Sequence, residues 1–260
     1  MRIALMADIH GNDVALQAVL LDIEERGGVD CYWIVGDLAA IGHAPVATLG
    51  LLQTQSNLQC ISGNTDRYVC TGDRPPPSLA DVQADPALLP ILLSVERSFS
   101  WTQGAVTEAG QLGWLSALPA ESRFTLPDGA NVLCTHGSPA GGDFVGIWPT
   151  MGEKEVEPLL AGCKSEIICV GHTHWPLDLQ VNAHRVLNPG SVSNPVGSDV
   201  RASYAVIEAD ERGHRVAFHR VDYDQNRVIE SLRAMEHPAR GFIARHLQGK
   251  ELPEQLKGIA

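Results

Sequence analysis

Arg2-Ile3-Ala4-Leu5-Met6-Ala7-Asp8-Ile9-His10 opens the chain as an apolar run that stops at a carboxylate and an imidazole. A short, unbroken apolar run suits a strand buried on both faces, so a strand is expected over residues 2–7. Behind it, Val14, Leu16, Val19, Leu20 and Ile23 recur at near-helical spacing over residues 13–26, and Gly27-Gly28 closes the helix. Residues 31–35 read as a second buried strand, 45–53 as a second helix and 59–62 as a third strand. Strand, loop and helix in repetition imply parallel pairing with right-handed crossovers. In such sheets ligands gather beyond the carboxyl ends of the strands.

The same placement recurs downstream, where residues 131–134 run into His136 and residues 166–170 run into His172 and His174. Five strand ends therefore offer side chains to what reads as one rim. Between Arg67 and Arg123 the pattern changes: Gly72-Asp73-Arg74-Pro75-Pro76-Pro77 marks a loop, and residues 86–118 look largely helical. We read a helical insertion or cap at about 68–122 within a single domain spanning 1–260, with Phe99, Trp101, Trp114 and Leu115 packing onto the body. The last third turns to strand signals: residues 177–181 and 185–187 flank Asn182 as a hairpin, and 203–208 with 215–222 suggest another. Residues 224–235 and 238–247 read as terminal helices.

The 260 residues can bury a substantial core. A formal net charge of −12 argues against binding to nucleic-acid backbone or anionic lipid, which requires a basic surface. Asp8 interrupts the first apolar run too early for a signal-peptide core or a membrane span, and a cytoplasmic protein is expected. Cys31, Cys60, Cys70, Cys134, Cys163 and Cys169 form no CxxC pair and read as reduced, mostly buried thiols. Apolar residues in the insertion are compatible with a homo-oligomer.

Four kinds of short motif carry the chemistry: Asp8-Ile9-His10, Gly36-Asp37, Gly63-Asn64-Thr65-Asp66, and the histidines of Thr135-His136-Gly137 and Gly171-His172-Thr173-His174. In the first and last, two candidate ligands stand at i and i+2, where an extended backbone projects them to one side. Asp8 alone also suits a helix cap, but Asn12 and Asp13 are better placed for that. One carboxylate, Asp37, can bridge two ions about 3.5–4 Å apart, and Asn64 offers a neutral oxygen. A nitrogen and oxygen ligand set without thiolate fits two transition metals that generate hydroxide and clamp phosphoryl oxygens. Gly141 to Thr150 forms a second glycine-containing loop that should border the site, and Asn188-Pro189-Gly190-Ser191 is mainly a turn. His184, His214, His219, His237 and His246 lie outside every motif and read as structural or exposed.

Taken in order, these residues resemble the calcineurin-like metallophosphoesterase family: D-x-H, G-D, G-N-x-D, H-G and G-H-x-H between Asp8 and His174. The short G-N-x-D form, the segment at His136 and the Asn188 turn look most like its compact bacterial and archaeal phosphodiesterase-type members. The resemblance implies an α/β fold, a four-layer αββα sandwich of two mixed sheets flanked by helices, with the site at one edge of the sheets. It implies that Asp8, His10 and His174 hold one metal, that Asn64, His136 and His172 hold the other, and that Asp37 bridges them. Manganese is the first expectation, with iron, nickel or zinc as alternatives for such ligands.

One position departs from the family pattern. Many members carry a histidine immediately after the asparagine, as general acid or transition-state stabiliser, and this chain has Thr65. Asp66 would orient a ligand rather than transfer a proton. His43, on the loop after Asp37, is expected to overlook the metals, replacing the acid or contacting phosphate, unless it is an exposed loop residue. The expected function is hydrolysis of a small phosphoester, a diester more than a monoester, by a hydroxide shared between two divalent metals attacking phosphorus in line. The alternatives are a protein or dinucleoside-polyphosphate phosphatase and, from another class, a protein-binding scaffold that kept the fold and lost catalysis, as the family's retromer subunit has.

Overall fold

The structure, a computed structural model, describes residues 1–250 and 253–256. Two five-stranded mixed sheets face each other. In the first, β1 (Arg2–Met6) pairs in parallel with β2 (Cys31–Val35), and β2 with β3 (Leu58–Ile61), through the helices α1 (Asp13–Glu25) and α2 (Pro45–Gln53). In the second, β4 (Glu121–Thr125), β5 (Asn131–Thr135), β6 (Ile167–Cys169), β7 (Leu177–Val181) and β8 (His184–Asn188) take the order β4-β5-β6-β8-β7, with β5, β6 and β8 parallel.

The terminal strand signals divide between the sheets. The hairpin at Asn182 completes the second sheet, whereas β9 (Ala202–Asp210) and β10 (Gly213–Val221) return to the first, β9 lying antiparallel to β1. β4 escaped the sequence reading. It is an edge strand, antiparallel to β5, whose residues alternate between exposed and half-buried, so it carries no apolar run.

Side chains of a strand alternate between faces, and β1 shows what each face meets. Ile3, Leu5 and Ala7 point between the sheets, into a core shared with Trp33, Val35, Val132, Cys134, Ile167, Cys169, Leu187 and Ile207. Trp33 stacks on Phe124 across this layer, ring centroids 4.3 Å apart. Ala4 and Met6 point outward, under Leu16, Val19 and Leu49 of α1 and α2. The outer face of the second sheet is covered by α7 (Glu153–Val156), a 3-10 turn and the loop at Ile147, which bury Ile168, Val170 and Val186. These four layers are the expected αββα sandwich.

The helical insertion comprises α3 (Asn64–Thr71), α4 (Leu79–Ala84), α5 (Leu89–Glu108) and α6 (Leu112–Ser116). Its aromatic residues do pack: Phe99 and Leu115 join the outer core of the first sheet with Trp114 against them, and Trp101 meets the His237 ring edge-on. The terminal helices α8 (Gln225–Ala234) and α9 (Arg240–Leu247) rest on Val14 of α1 through Val228, Leu232, Ile243 and Leu247. No described helix is long and apolar enough to cross a membrane.

Leu5 is fully buried between Trp33 and Ala205 on its neighbouring strands. Leu5→Ala should destabilise the protein by roughly 2–5 kcal/mol through lost burial and the cavity left behind. A lowered urea midpoint at unchanged slope is the expected readout.

Candidate metal centre

Each motif sits just beyond a strand: Asp8 and His10 after β1, Asp37 after β2, Asn64 after β3, His136 after β5, and His172 and His174 after β6. The backbone there is not extended. Asp8 (φ 55°), His10 (φ 47°), Asp37 (φ 59°), His172 (φ 67°) and His174 (φ 59°) are all left-handed. The extended geometry expected for the i and i+2 pairs is thus replaced by coiled loops that turn both ligands inward. Such conformations cost of order 1–3 kcal/mol per non-glycine residue and persist only where surroundings over-determine them. Here the restraint is a ladder between loops, with Asp8 N donating to Gly36 O at 3.1 Å, His10 N to Asp37 O at 2.9 Å and Gly171 N to His136 O at 2.8 Å.

Three imidazoles are locked in one way. The Nδ1 of His10 lies 3.0 Å from Ala40 O, that of His136 2.7 Å from Val35 O, and that of His174 2.6 Å from Asn194 O. A carbonyl only accepts, so each Nδ1 donates and each neutral ring presents an Nε2 lone pair to the centre. His172 differs: it turns Nδ1 to Asn64 Oδ1 at 3.0 Å.

The atoms left facing one another are acceptors. His10 Nε2 is 3.1 Å from His174 Nε2, and His136 Nε2 is 3.0 Å from Asn64 Oδ1. Asp37 Oδ2 lies 3.7 Å from His10 Nε2 and 3.4 Å from His136 Nε2, between the two sets, while Asp8 Oδ1 is 3.4 Å from His174 Nε2. Asp8 Oδ2 is buried without any hydrogen-bond partner. Buried acceptors crowded together need positive charge between them. Among the described residues, two groups could hold a metal ion, Asp8 with His10 and His174, and Asp8 with Asp37 and His136. Asn64 Oδ1 and His172 Nδ1 border the second.

Without metal, protons supply that charge. Burial opposes ionisation of His136, but the Asp37 carboxylate, then Asp8, outweigh it and push the ring up to about 10. Burial and then the charged His136 push His172 down to about 4, so His172 stays neutral. Against its own burial, Asp37 is held far below the usual carboxylate range, first by His136 and then by His10 and the Thr65 amide.

Asp66 binds the loops together rather than facing the metals. It is the third residue of α3, and its carboxylate accepts from Gly63 N at 3.1 Å, Leu38 N at 2.9 Å and Ala39 N at 3.2 Å. Burial, then Asp37, push it up to about 7. Thr65 donates its backbone N–H to Asp37 Oδ1 at 2.9 Å, and its own hydroxyl is buried without a partner. His43 belongs to neither metal-capable group. It is buried, with Nε2 2.9 Å from Asp13 Oδ1 at the start of α1 and Nδ1 unpartnered.

The supports of the rim come from turns and loops away from the ligand motifs. In the Asn188 turn, Asn188 donates to Gly171 O at 2.7 Å and to Thr173 Oγ1 at 3.0 Å, and Ser191 Oγ donates to Asp8 O at 2.7 Å, so the turn braces both histidine and aspartate loops. The loop after His136 does border the site: a Cβ on Gly146 would come within 2.9 Å of His172 Cδ2. Arg67 grips that loop through Asp143 at 2.6 and 3.2 Å. His246 is buried beside His174.

Compared with known proteins, residues 1–212 match the model of the calcineurin-like phosphoesterase superfamily domain. An uncharacterized protein of Methanocaldococcus jannaschii is 27% identical over 247 residues, covering 88% of this chain and 91% of that one. The crystal structure of a metallophosphoesterase from Sphaerobacter thermophilus superposes with a TM-score of 0.72 at 26% identity, covering 96% of this chain and 99% of that one. A hypothetical protein from Pyrococcus horikoshii OT3 shares the fold with a TM-score of 0.79 at 21% identity, again covering 96% and 99%.

Because His136 carries a second ring proton, on Nε2, below about pH 10 in the metal-free protein, metal uptake at neutral pH should release at least one proton. Affinity should rise as pH is raised towards that value and fall as pH drops. Calorimetric titrations of Mn²⁺ in buffers of different ionisation enthalpy give the count directly. Independently, a Cβ at Gly63 would lie 2.1 Å from Asp37 Oδ1 and 2.5 Å from its amide nitrogen. Gly63→Ala should therefore lower metal affinity by roughly tenfold or more, the scale of disturbing a ligand's support.

Proposed function

We propose that this chain, which belongs to the calcineurin-like phosphoesterase superfamily, is a binuclear metal-dependent hydrolase of small phosphodiesters. The observation that carries the reading is the rim of buried acceptors around Asp37 Oδ2, which lies within 3.7 Å of one imidazole of each set. Asp8, His10 and His174 would hold one divalent ion, and Asn64, His136 and His172 the other. Asp37 would bridge the two ions, its carboxylate oriented by the Thr65 amide on Oδ1. When bound, such ions supply a hydroxide nucleophile at neutral pH and neutralise phosphoryl oxygens. Nitrogen and oxygen ligands favour manganese, with iron, nickel or zinc as alternatives.

The protein's own part is positioning. Backbone carbonyls fix three imidazole orientations, and Asp66 clamps the loops bearing Asp37 and Asn64. No titratable side chain stands at Thr65, where many members keep a histidine. A positioned acid is typically worth about 10²–10⁴ in rate, so esters with poor leaving groups should suffer most. A diester also brings less negative charge than a monoester to a site already holding two carboxylates. Net charge of −12 further favours a small substrate over nucleic acid, and we place the activity in the cytoplasm. Intact acceptor groups weigh against the scaffold alternative.

The test is hydrolysis of matched aryl phosphate mono- and diesters by chelator-stripped protein before and after adding Mn²⁺. Metal should restore cleavage, with the diester preferred. Asp37→Asn should lose roughly a hundredfold or more, beyond the range for supporting residues. Faster monoester cleavage would reverse the assigned preference, and stoichiometric metal uptake with no cleavage of either ester would favour a binding role.

A further inference from the structure

The family match ends at residue 212, yet α9, well beyond it, brings His246 beside His174 at the rim of candidate ligands. Ile243 and Leu247 anchor the helix on Val14 and the α8 residues Val228 and Leu232. That packing leaves His246, only 7% exposed, next to His174, with ring centroids 6.3 Å apart. Consecutive carbonyls hold the two rings. Asn194 O takes the His174 Nδ1 proton at 2.6 Å, and Pro195 O takes that of His246 at 3.3 Å.

With its Nδ1 proton so placed, the neutral His246 ring presents Nε2 as a lone pair, and that atom has no hydrogen-bond partner among the described residues. His246 is not part of the Asp8, His10 and His174 group, whose ligand atoms lie within 4.8 Å of one another. It is therefore an acceptor beside the candidate ligand His174 and outside both metal-capable groups.

We propose that His246 is a substrate-contacting, specificity-determining residue, its Nε2 accepting a hydrogen bond from a hydroxyl on the organic group of the bound ester. A phosphoryl oxygen brings lone pairs of its own and is a poor match for this atom. A hydroxyl brings the missing proton, so esters of hydroxylated alcohols are selected over plain alkyl esters. The proposal rests on the phosphodiesterase reading above.

The experiment uses Mn²⁺-loaded wild type, His246→Leu and His246→Gln with two nitrophenyl diesters whose second group is 3-hydroxypropyl or propyl. Wild type should favour the hydroxylated ester in kcat/KM by about three- to tenfold, the scale of one neutral hydrogen bond. His246→Leu should abolish the preference, and His246→Gln should keep part of it because the amide oxygen also accepts. Calorimetric binding of 3-hydroxypropyl phosphate and propyl phosphate should give the same order without turnover. Equal treatment of both by wild type in cleavage or binding overturns the proposal, as does loss of metal stoichiometry in His246→Leu, which would make the ring a ligand. Discrimination in binding without cleavage of either diester would uphold the contact and overturn the hydrolase reading.

Discussion

Buried acceptors that face one another across the rim impose the condition on which the site depends. His10 and His174 meet through Nε2 atoms, and His136 meets Asn64 and Asp37. Each approach is unfavourable unless a positive charge lies between the atoms. The protein does not relieve the crowding by rotating the rings, because three of them have already given their Nδ1 protons to main-chain carbonyls. The strain is sustained by the sandwich beneath, whose parallel strands deliver the loops to one edge and whose inter-sheet core holds those strands in register. Asp66 completes the arrangement with one carboxylate serving backbone donors from two loops.

How much of this was legible in the sequence depended on the range of the interactions. The apolar run ending at Asp8 announced both the central strand and the position of a candidate ligand, and repetition at Asp37, Asn64, His136 and His172 pointed to a rim of such residues at strand ends. β4 gave no signal because an edge strand needs only half-burial, and Phe124 and Ser122 on one face do not make a pattern. The terminal strands were visible as hairpins, but nothing local states that β9 will pair with β1 across some two hundred residues. The ligand types were also legible, while their left-handed backbone was not: D-x-H reads naturally as an extended dipole of ligands, and only the inter-loop hydrogen bonds explain the coil. His43 and His246 show the same limit. His43 lies near a motif in sequence and faces Asp13, whereas His246 lies far from every motif and stands beside His174.

The insertion and the terminal helices play different parts. α5 and α6 add Phe99, Val106 and Leu115 to the outer core of the first sheet, so the insertion is held by ordinary burial. Its α3 begins at Asn64, so the same segment also contributes to the rim. Arg67, one turn along, ties it to Asp143 on the loop that borders His172. The C-terminal helices lie on α1, whose own N-terminus follows the first motif, and α9 places His246 beside His174.

The left-handed ligand loops bear on how such a protein can change over generations. Asn, Asp and His are the side chains that best tolerate positive φ after glycine, which is why aspartate and histidine serve there at bearable backbone cost. Exchange of such an aspartate for asparagine or glycine suits the backbone as well or better, while it removes a negative charge from the rim. What such an exchange costs the fold lies instead in the hydrogen bonds these side chains make, such as those to the Thr65 amide from Asp37 and to the Val35 carbonyl from His136. The left-handed backbone thus narrows the rim to a few residue types, and the choice among them rests on the acceptors that it brings together.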